Sequence, residues 1–194
     1  MAQAASARDR ILDVAKRLFY RDGYRATGID KIIAEAGVAK MSFYRNFPSK
    51  NDLIADFLAW RHADWMAWFT GAVEQRYAQR AELAVVADAL GEWFAQADFR
   101  GCAFINSVAE TGATDEPRHL GQAVEHKAGL ERYIAGLAQR MGLAQPQQVA
   151  QEAMLCVEGM IVRAQMQYDP QIVDAGRRLL ARIERDAMPP ALAK

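Results

Sequence analysis

Cysteine and histidine are scarce in this chain of 194 residues: Cys102 and Cys156 are its thiols, and His62, His119 and His126 its imidazoles. The cysteines form no metal-ligand spacing with the histidines, so free thiols, no metal and no cofactor are expected. No apolar run approaches the ~20 residues needed to cross a bilayer, and the first ten residues lack the apolar stretch of a secretory signal. The expectation is a cytoplasmic chain with no membrane partner. Nucleophile motifs, glycine-rich phosphate loops and paired-carboxylate clusters are missing as well, which disfavours an enzyme. Alternating β-branched runs and Asn-Gly hairpin signals are also absent, which disfavours a strand-based enzyme fold. Net charge is absent too, with 24 Lys and Arg against 24 Asp and Glu.

What is present is helical periodicity in a chain that is 52% hydrophobic, enough for a sizeable core. The fold class predicted is all-α, with about nine helices. Ile11, Ala15, Leu18 and Phe19 form the stripe of a first helix ending near Asp22 and Gly23. Thr27 reads as the N-cap of a second, whose Ile29, Ile32, Ile33 and Ala36 share a face and which Gly37 ends. A short third helix over Ala39 to Arg45 stops at Pro48, and Ser49 caps a long fourth that runs to about Arg76. Further helices are expected over residues 80–96, 103–112, 117–141, 146–168 and 170–187. Breaks are expected at 98–101, at Thr114 to Pro117, at 142–146 and at Asp169-Pro170, with Pro189-Pro190 closing the ordered part.

The zero net charge conceals a segregation. Residues 1–50 hold ten Lys and Arg against five Asp and Glu, and the other 144 hold fourteen against nineteen. A basic module that approaches phosphates, joined to one that does not, is the physical reading. Within the basic stretch, two short helices joined by a turn at Gly37, with an apolar anchor at Phe43, have the spacing of a helix-turn-helix. Ile29, Ile32, Phe43 and Phe47 would hold the pair against the first helix. Lys40, Met41, Ser42, Tyr44, Arg45 and Asn46 would then face outward, small, polar and basic enough to enter a major groove, with Met41 able to touch a thymine methyl. Thr27 and Lys50, each near a helix N-terminus, are placed for phosphates.

The residues Arg10-Ile11-Leu12, Ala15, Leu18-Phe19, Gly23-Tyr24, Thr27, Ile32, Ala36-Gly37-Val38, Phe43-Tyr44, Phe47-Pro48-Ser49-Lys50 and Leu53 resemble the tetracycline-repressor (TetR) family over about the first 55 residues. That resemblance implies an all-helical homodimer that binds palindromic double-stranded operator DNA, usually as a repressor released by a small ligand. Carried over by position, it implies phosphate contacts from Thr27, Tyr44 and Lys50, with Lys40, Ser42 and Asn46 on the recognition helix. Ile33 stands where the family commonly has alanine, and Met41 where it commonly has a small residue.

The resemblance is weaker beyond residue 55, and it divides the chain into a DNA-binding domain over 1–50 and an effector-binding and dimerisation domain over 51–194. The fourth helix begins at Lys50 and carries Trp60, Trp65 and Trp68, which makes it the candidate link to a pocket for a small apolar or aromatic effector. Trp60, Asp64, Trp68, Trp93, Phe104, Tyr133, Met154 and Glu158 are the candidate lining, with Asp64 or Glu158 able to meet a cationic or hydroxyl group. The helix over 146–168 is apolar on more than one side, so it cannot turn a polar face to water along its length. Paired with the helix over 170–187 and a second copy of both, it forms either a four-helix bundle between subunits or the core of one chain. Val157, Ile161, Ile172, Gly176, Leu180 and Ile183 are the candidate dimerisation residues. Cys102 reads either as a small buried hydrophobe or as a thiol activated near a helix start.

Overall fold

The computed structural model describes residues 5–111 and 117–189. Nine helices and no strand occur among them: α1 (Ala7–Asp22), α2 (Ile29–Ala36), α3 (Lys40–Asn46), α4 (Lys50–Tyr77), α5 (Val85–Phe94), α6 (Ala103–Thr111), α7 (Pro117–Arg140), α8 (Pro146–Met166) and α9 (Pro170–Asp186). The expected break at Thr114 and the closing Pro190 lie outside the described residues.

Local chemistry sets most of the boundaries. Ser6 caps α1 in a reciprocal box with Asp9, and Gly23, at φ +91°, ends it. Gly37 ends α2 in the left-handed region at φ 61°, ψ 43°, a conformation that glycine adopts without a Cβ clash. Ser49 accepts the Asp52 amide at 3.1 Å, the expected cap of α4. Proline occupies the first turn of α8 and α9, where its missing N–H leaves no helix bond unmade. Two expectations need correction. The N-cap of α2 is Gly28 rather than Thr27, whose hydroxyl is fully buried and donates back to the Gly23 carbonyl at 2.7 Å. The helix expected over 80–96 begins only at Val85, because residues 78–84 form turns and the Leu83 amide donates to the Glu184 carboxylate of α9 at 2.7 Å.

Packing divides the chain into two units. The first takes in the chain up to Ala63 together with Cys102–His126, and the second takes in Asp64–Gly101 and the chain from Lys127 onward. In the first, Ile11, Leu18, Phe19, Ile32, Phe43, Phe47, Leu53 and Phe57 form a core with almost no exposure. Phe19 meets Tyr24 and Phe57 at centroid distances of 5.5 and 5.9 Å. Helix α6 is tied to the α1–α2 turn at two points. Tyr24 donates its hydroxyl to the Ala103 carbonyl at 2.8 Å, and Glu110 accepts the Arg25 amide at 2.9 Å.

In the second unit α9 lies against α5 and α8. Its Ile172, Val173, Gly176 and Leu180, spaced as one helical face, are its buried residues. Gly176 eases that approach, since a Cβ there would stand 2.3 Å from the Met160 sulfur and 3.3 Å from the Ala87 methyl, and the Met160 side chain would have to move aside. The carboxylate of Asp88 on α5 pairs with both Arg177 of α9 and Arg80. Its side chain is only 9% exposed, so the two guanidiniums offset the desolvation of its charge.

Candidate functional site

Helix α3 has seven residues and no side-chain cap, too short to be stable alone, so packing determines its orientation. Phe43, fully buried, and Phe47 fix it from below, and the opposite face is turned outward. Met41 is 71% exposed and Tyr44 40%, with Lys40 and Arg45 beside them also exposed. Ser42 and Asn46 are half-buried, and Asn46 donates one amide hydrogen to the Ser42 carbonyl at 2.7 Å, which sets the direction of its side chain. Lys40 stands 3.6 Å from Asp30, with both side chains mostly in water. A pair so exposed contributes little and yields readily to another anion. Tyr44 packs edge-on against Phe43 at 5.3 Å.

Lys50, the first residue of α4, is half-buried, and that burial pulls its pKa below the ordinary lysine value, with the Glu110 carboxylate acting in the opposite direction. Thr27 does not join the exposed set. Its buried hydroxyl is engaged by the Gly23 carbonyl and, at 3.3 Å, by that of Leu18. Thr27→Val, which keeps shape and removes the donor, is expected to lower the stability of the first unit by about 1–3 kcal/mol, because the part-buried Gly23 carbonyl and the buried Leu18 carbonyl lose a donor. Thermal unfolding followed by circular dichroism measures it, and an unchanged midpoint would show that the hydroxyl holds nothing.

The eight candidate effector residues are distributed over both units. In the first, the Trp60 ring lies under Lys16 Nζ at 4.3 Å, and Phe104 stacks on His126 at 3.9 Å. In the second, Asp64 is exposed, Trp68 half-buried, and Met154 buried. Trp93 meets Trp65 edge-on at 5.2 Å. Tyr133 donates its hydroxyl to Glu74 at 2.8 Å, and Glu74 is clamped by Arg140 at 2.6 Å. The Arg140 guanidinium lowers the Glu74 pKa, while burial raises that of the Tyr133 phenol, an effect the neighbouring carboxylate reinforces. Glu158 pairs with Lys127 at 2.8 Å, so its charge already has a partner.

Among the candidate dimerisation residues, Val157, Ile161, Ile172, Gly176 and Leu180 are buried within a single chain, and Ile183 is half-buried. The apolar side chains that α8 and α9 turn outward are different ones. Leu155 is 78% exposed, Val162 38%, Met166 82% and Leu179 47%. Along α8, positions 155, 159, 162 and 166 alternate steps of four and three, the spacing of a coiled-coil seam and a signal present in the sequence. A surface groove of 620 Å³ runs between the two helices, lined in part by Leu155, Gly159, Ile172, Ala175 and Leu179. Cys102 is buried, in keeping with its reading as a small hydrophobe, and Cys156 is half-buried, with a thiol pKa raised by that burial.

Similarity to known proteins follows the same division of the chain. The family model of bacterial regulatory proteins, tetR family, matches residues 11–57, from α1 into α4. The HTH-type transcriptional regulator LmrA of Bacillus subtilis (strain 168) is 30% identical over 119 residues, covering 57% of this chain and 60% of that protein. The HTH-type transcriptional repressor KstR2 of Mycolicibacterium smegmatis is 32% identical over 74 residues, covering 38% of this chain and 34% of that protein. The chain thus spans 60% or less of the length of these curated relatives. The crystal structure of SCO4454, a TetR-family transcriptional regulator from Streptomyces coelicolor, superposes with a TM-score of 0.80 at 27% identity, covering 93% of this chain and 95% of that one. The reduced form of E. coli NemR shares the fold, with a TM-score of 0.77 at 18% identity over 91% of this chain and 97% of that one. With a helix-turn-helix that presents a polar, basic face, residues 11–57 form a helix-turn-helix domain of the tetR family of bacterial regulatory proteins, carried on a chain with the all-helical fold of a TetR-family regulator.

Proposed function

We propose that the protein acts in the cytoplasm as a homodimeric repressor that binds a palindromic operator and is released by a small molecule. The observation that carries this reading is the exposed face of α3. Lys40, Met41, Tyr44 and Arg45 project from a short helix fixed by Phe43 and Phe47, and Ser42 and Asn46 lie at its border. Residues 1–50, where the positive charge is concentrated, supply the DNA-binding part in this reading, and residues 51–194 the effector and dimer functions. The outward apolar stripe of α8 and α9 supports the dimer, which would set two copies of α3 about 34–36 Å apart, on successive major grooves. Helix α4, which starts at Lys50 in the first unit and continues in the second, is the element through which a ligand can act on DNA affinity. A ligand shifts the balance between DNA-competent and DNA-incompetent states only by its differential affinity for them.

Gel shifts against genomic fragments at several salt concentrations test the DNA half of the reading. Lys50→Ala and Tyr44→Phe are expected to weaken binding to every sequence alike, and Lys50→Ala to reduce the salt slope by about one. Ser42 and Asn46 substitutions are expected to change which sequence is preferred, because base contacts, not phosphate contacts, carry the choice. Unchanged affinity in both the Lys50 and the Tyr44 variant would overturn the assignment of this face.

A further inference from the structure

The residues first considered for the polar end of an effector, Asp64 and Glu158, are respectively exposed and already paired. The first unit holds a better set. Ser107 Oγ on α6 and His119 Nδ1 and Gln122 Oε1 on α7 are buried atoms without a hydrogen-bond partner, and the Ser107 and His119 residues are wholly inaccessible to solvent. Buried polar atoms are almost always bonded, so three such atoms on two consecutive helices need a physical reason.

Their bonding states follow from their neighbours. His119 Nε2 lies 2.9 Å from the Asn51 carbonyl, which can only accept, so Nε2 carries the hydrogen and Nδ1 of the neutral ring is a bare acceptor. Gln122 donates its Nε2 to the Ala55 carbonyl at 2.8 Å, and the opposite amide orientation would set two oxygens against each other. Its Oε1 is therefore also a bare acceptor. The two residues are three apart on one helix and share a face. Ser107 belongs to the buried face of α6 with Ala103 and Phe104, and Phe104 stacks on His126, one turn beyond Gln122. Counted from that contact, Ser107 lies one turn after Phe104 on α6, and Gln122 and His119 lie one and two turns before His126 on α7.

We propose that His119 Nδ1, Gln122 Oε1 and Ser107 Oγ form the polar anchor of the effector site, and that they receive the hydrogen-bond-donating end of an uncharged small molecule, a hydroxyl or a primary amide. The proposal rests on the ligand-responsive reading above. Two acceptors require donors from the guest, and the serine hydroxyl can serve as either partner. A charged guest is disfavoured, because none of the three groups offers a formal countercharge and burial penalises an unpaired ion. The anchor bonds the carbonyls of Asn51 and Ala55, in the first turns of the helix that begins at Lys50. A guest that draws on His119 therefore acts one residue from a proposed phosphate contact.

The test uses the full chain with 15N-labelled histidine, the His119 signal being assigned by its loss in His119→Gln. Benzyl alcohol and benzamide are titrated against their donor-free counterparts, benzyl methyl ether and N,N-dimethylbenzamide, with operator gel shifts run in parallel. The donors are expected to move the His119 Nδ1 resonance saturably and to bind at least tenfold more tightly than the donor-free compounds. Ser107→Ala and Gln122→Leu should each weaken that binding at least threefold, and if either variant fails to fold, the wild-type nitrogen signal still decides. Equal binding of donor and donor-free compounds, or a His119 signal that none of them moves at millimolar concentration, would overturn the anchor and leave ordered water as its occupant. A compound that releases DNA without moving His119 removes the anchor but keeps the ligand-responsive reading. One that moves His119 and leaves DNA affinity unchanged supports the anchor and counts against that reading.

Discussion

Leu155→Glu combined with Leu179→Glu is expected to give a folded monomer, whereas the wild-type chain is expected to be a dimer at tens of micromolar. Both leucines are apolar side chains that their helices turn outward, and both line the groove between α8 and α9. Charging them costs the isolated chain almost nothing, because each carboxylate faces water. In the dimer the same carboxylates would be carried into the seam and lose hydration without a partner, at a cost of several kcal/mol each. Ile161→Glu and Leu180→Glu make the control. Those side chains are 1% and 0% exposed within one chain, so a carboxylate there should unfold the second unit rather than separate subunits. Light scattering gives the mass and circular dichroism the fold. DNA affinity should fall by about 10²–10⁴ in the monomer, since two half-sites no longer act through one tethered pair of recognition helices. A wild-type monomer, or a double variant that remains dimeric, would overturn the assignment of the seam.

The contrast between those two pairs of substitutions shows what the sequence could and could not reveal. Helix α8 is apolar on more than one side, and periodicity alone cannot say whether Val157 and Ile161 or Leu155 and Val162 are buried within the chain. What decides is where α5 and α9 lie, and that is tertiary information carried by Gly176 and the Asp88 ion pairs. The N-terminal helices were legible where a boundary has a local cause, such as Gly23, Gly37 or the Ser49 cap. Thr27 misled because a threonine hydroxyl beside a glycine can cap forward or bond back, and here it bonds back. The turns before Val85 were hidden for a similar reason, since Glu184, 101 residues away, satisfies the Leu83 amide. Aromatic residues drew attention as pocket candidates although aromatic rings also make core. Ser107, His119 and Gln122, residue types usually found on surfaces, gave no signal until their burial was known.

Phe43→Ala is expected to abolish specific DNA binding while leaving the second unit folded. A seven-residue helix with no side-chain cap falls well short of the ~12–15 residues at which an isolated helix becomes even marginal in water. Its position therefore depends on side-chain burial, and Phe43, the one residue of α3 that is fully buried, carries most of it. Its ring also touches those of Tyr44 and Phe47, at 5.3 and 6.2 Å, so its loss loosens the proposed phosphate contact and the second anchor together. Truncating a buried phenylalanine costs about 3–5 kcal/mol. Against a total domain stability of about 5–15 kcal/mol, that is enough to populate states in which α3 is undocked. The remainder of the first unit has other support, because Tyr24 and Glu110 tie the α1–α2 turn to α6 independently of Phe43. Hydrogen exchange read by mass spectrometry should accordingly show lost protection over α2 and α3, a smaller change in α1 and α6, and none in α8 and α9. Protection in α3 equal to the wild type, with operator affinity also retained, would show that the recognition helix is held by something other than this side chain.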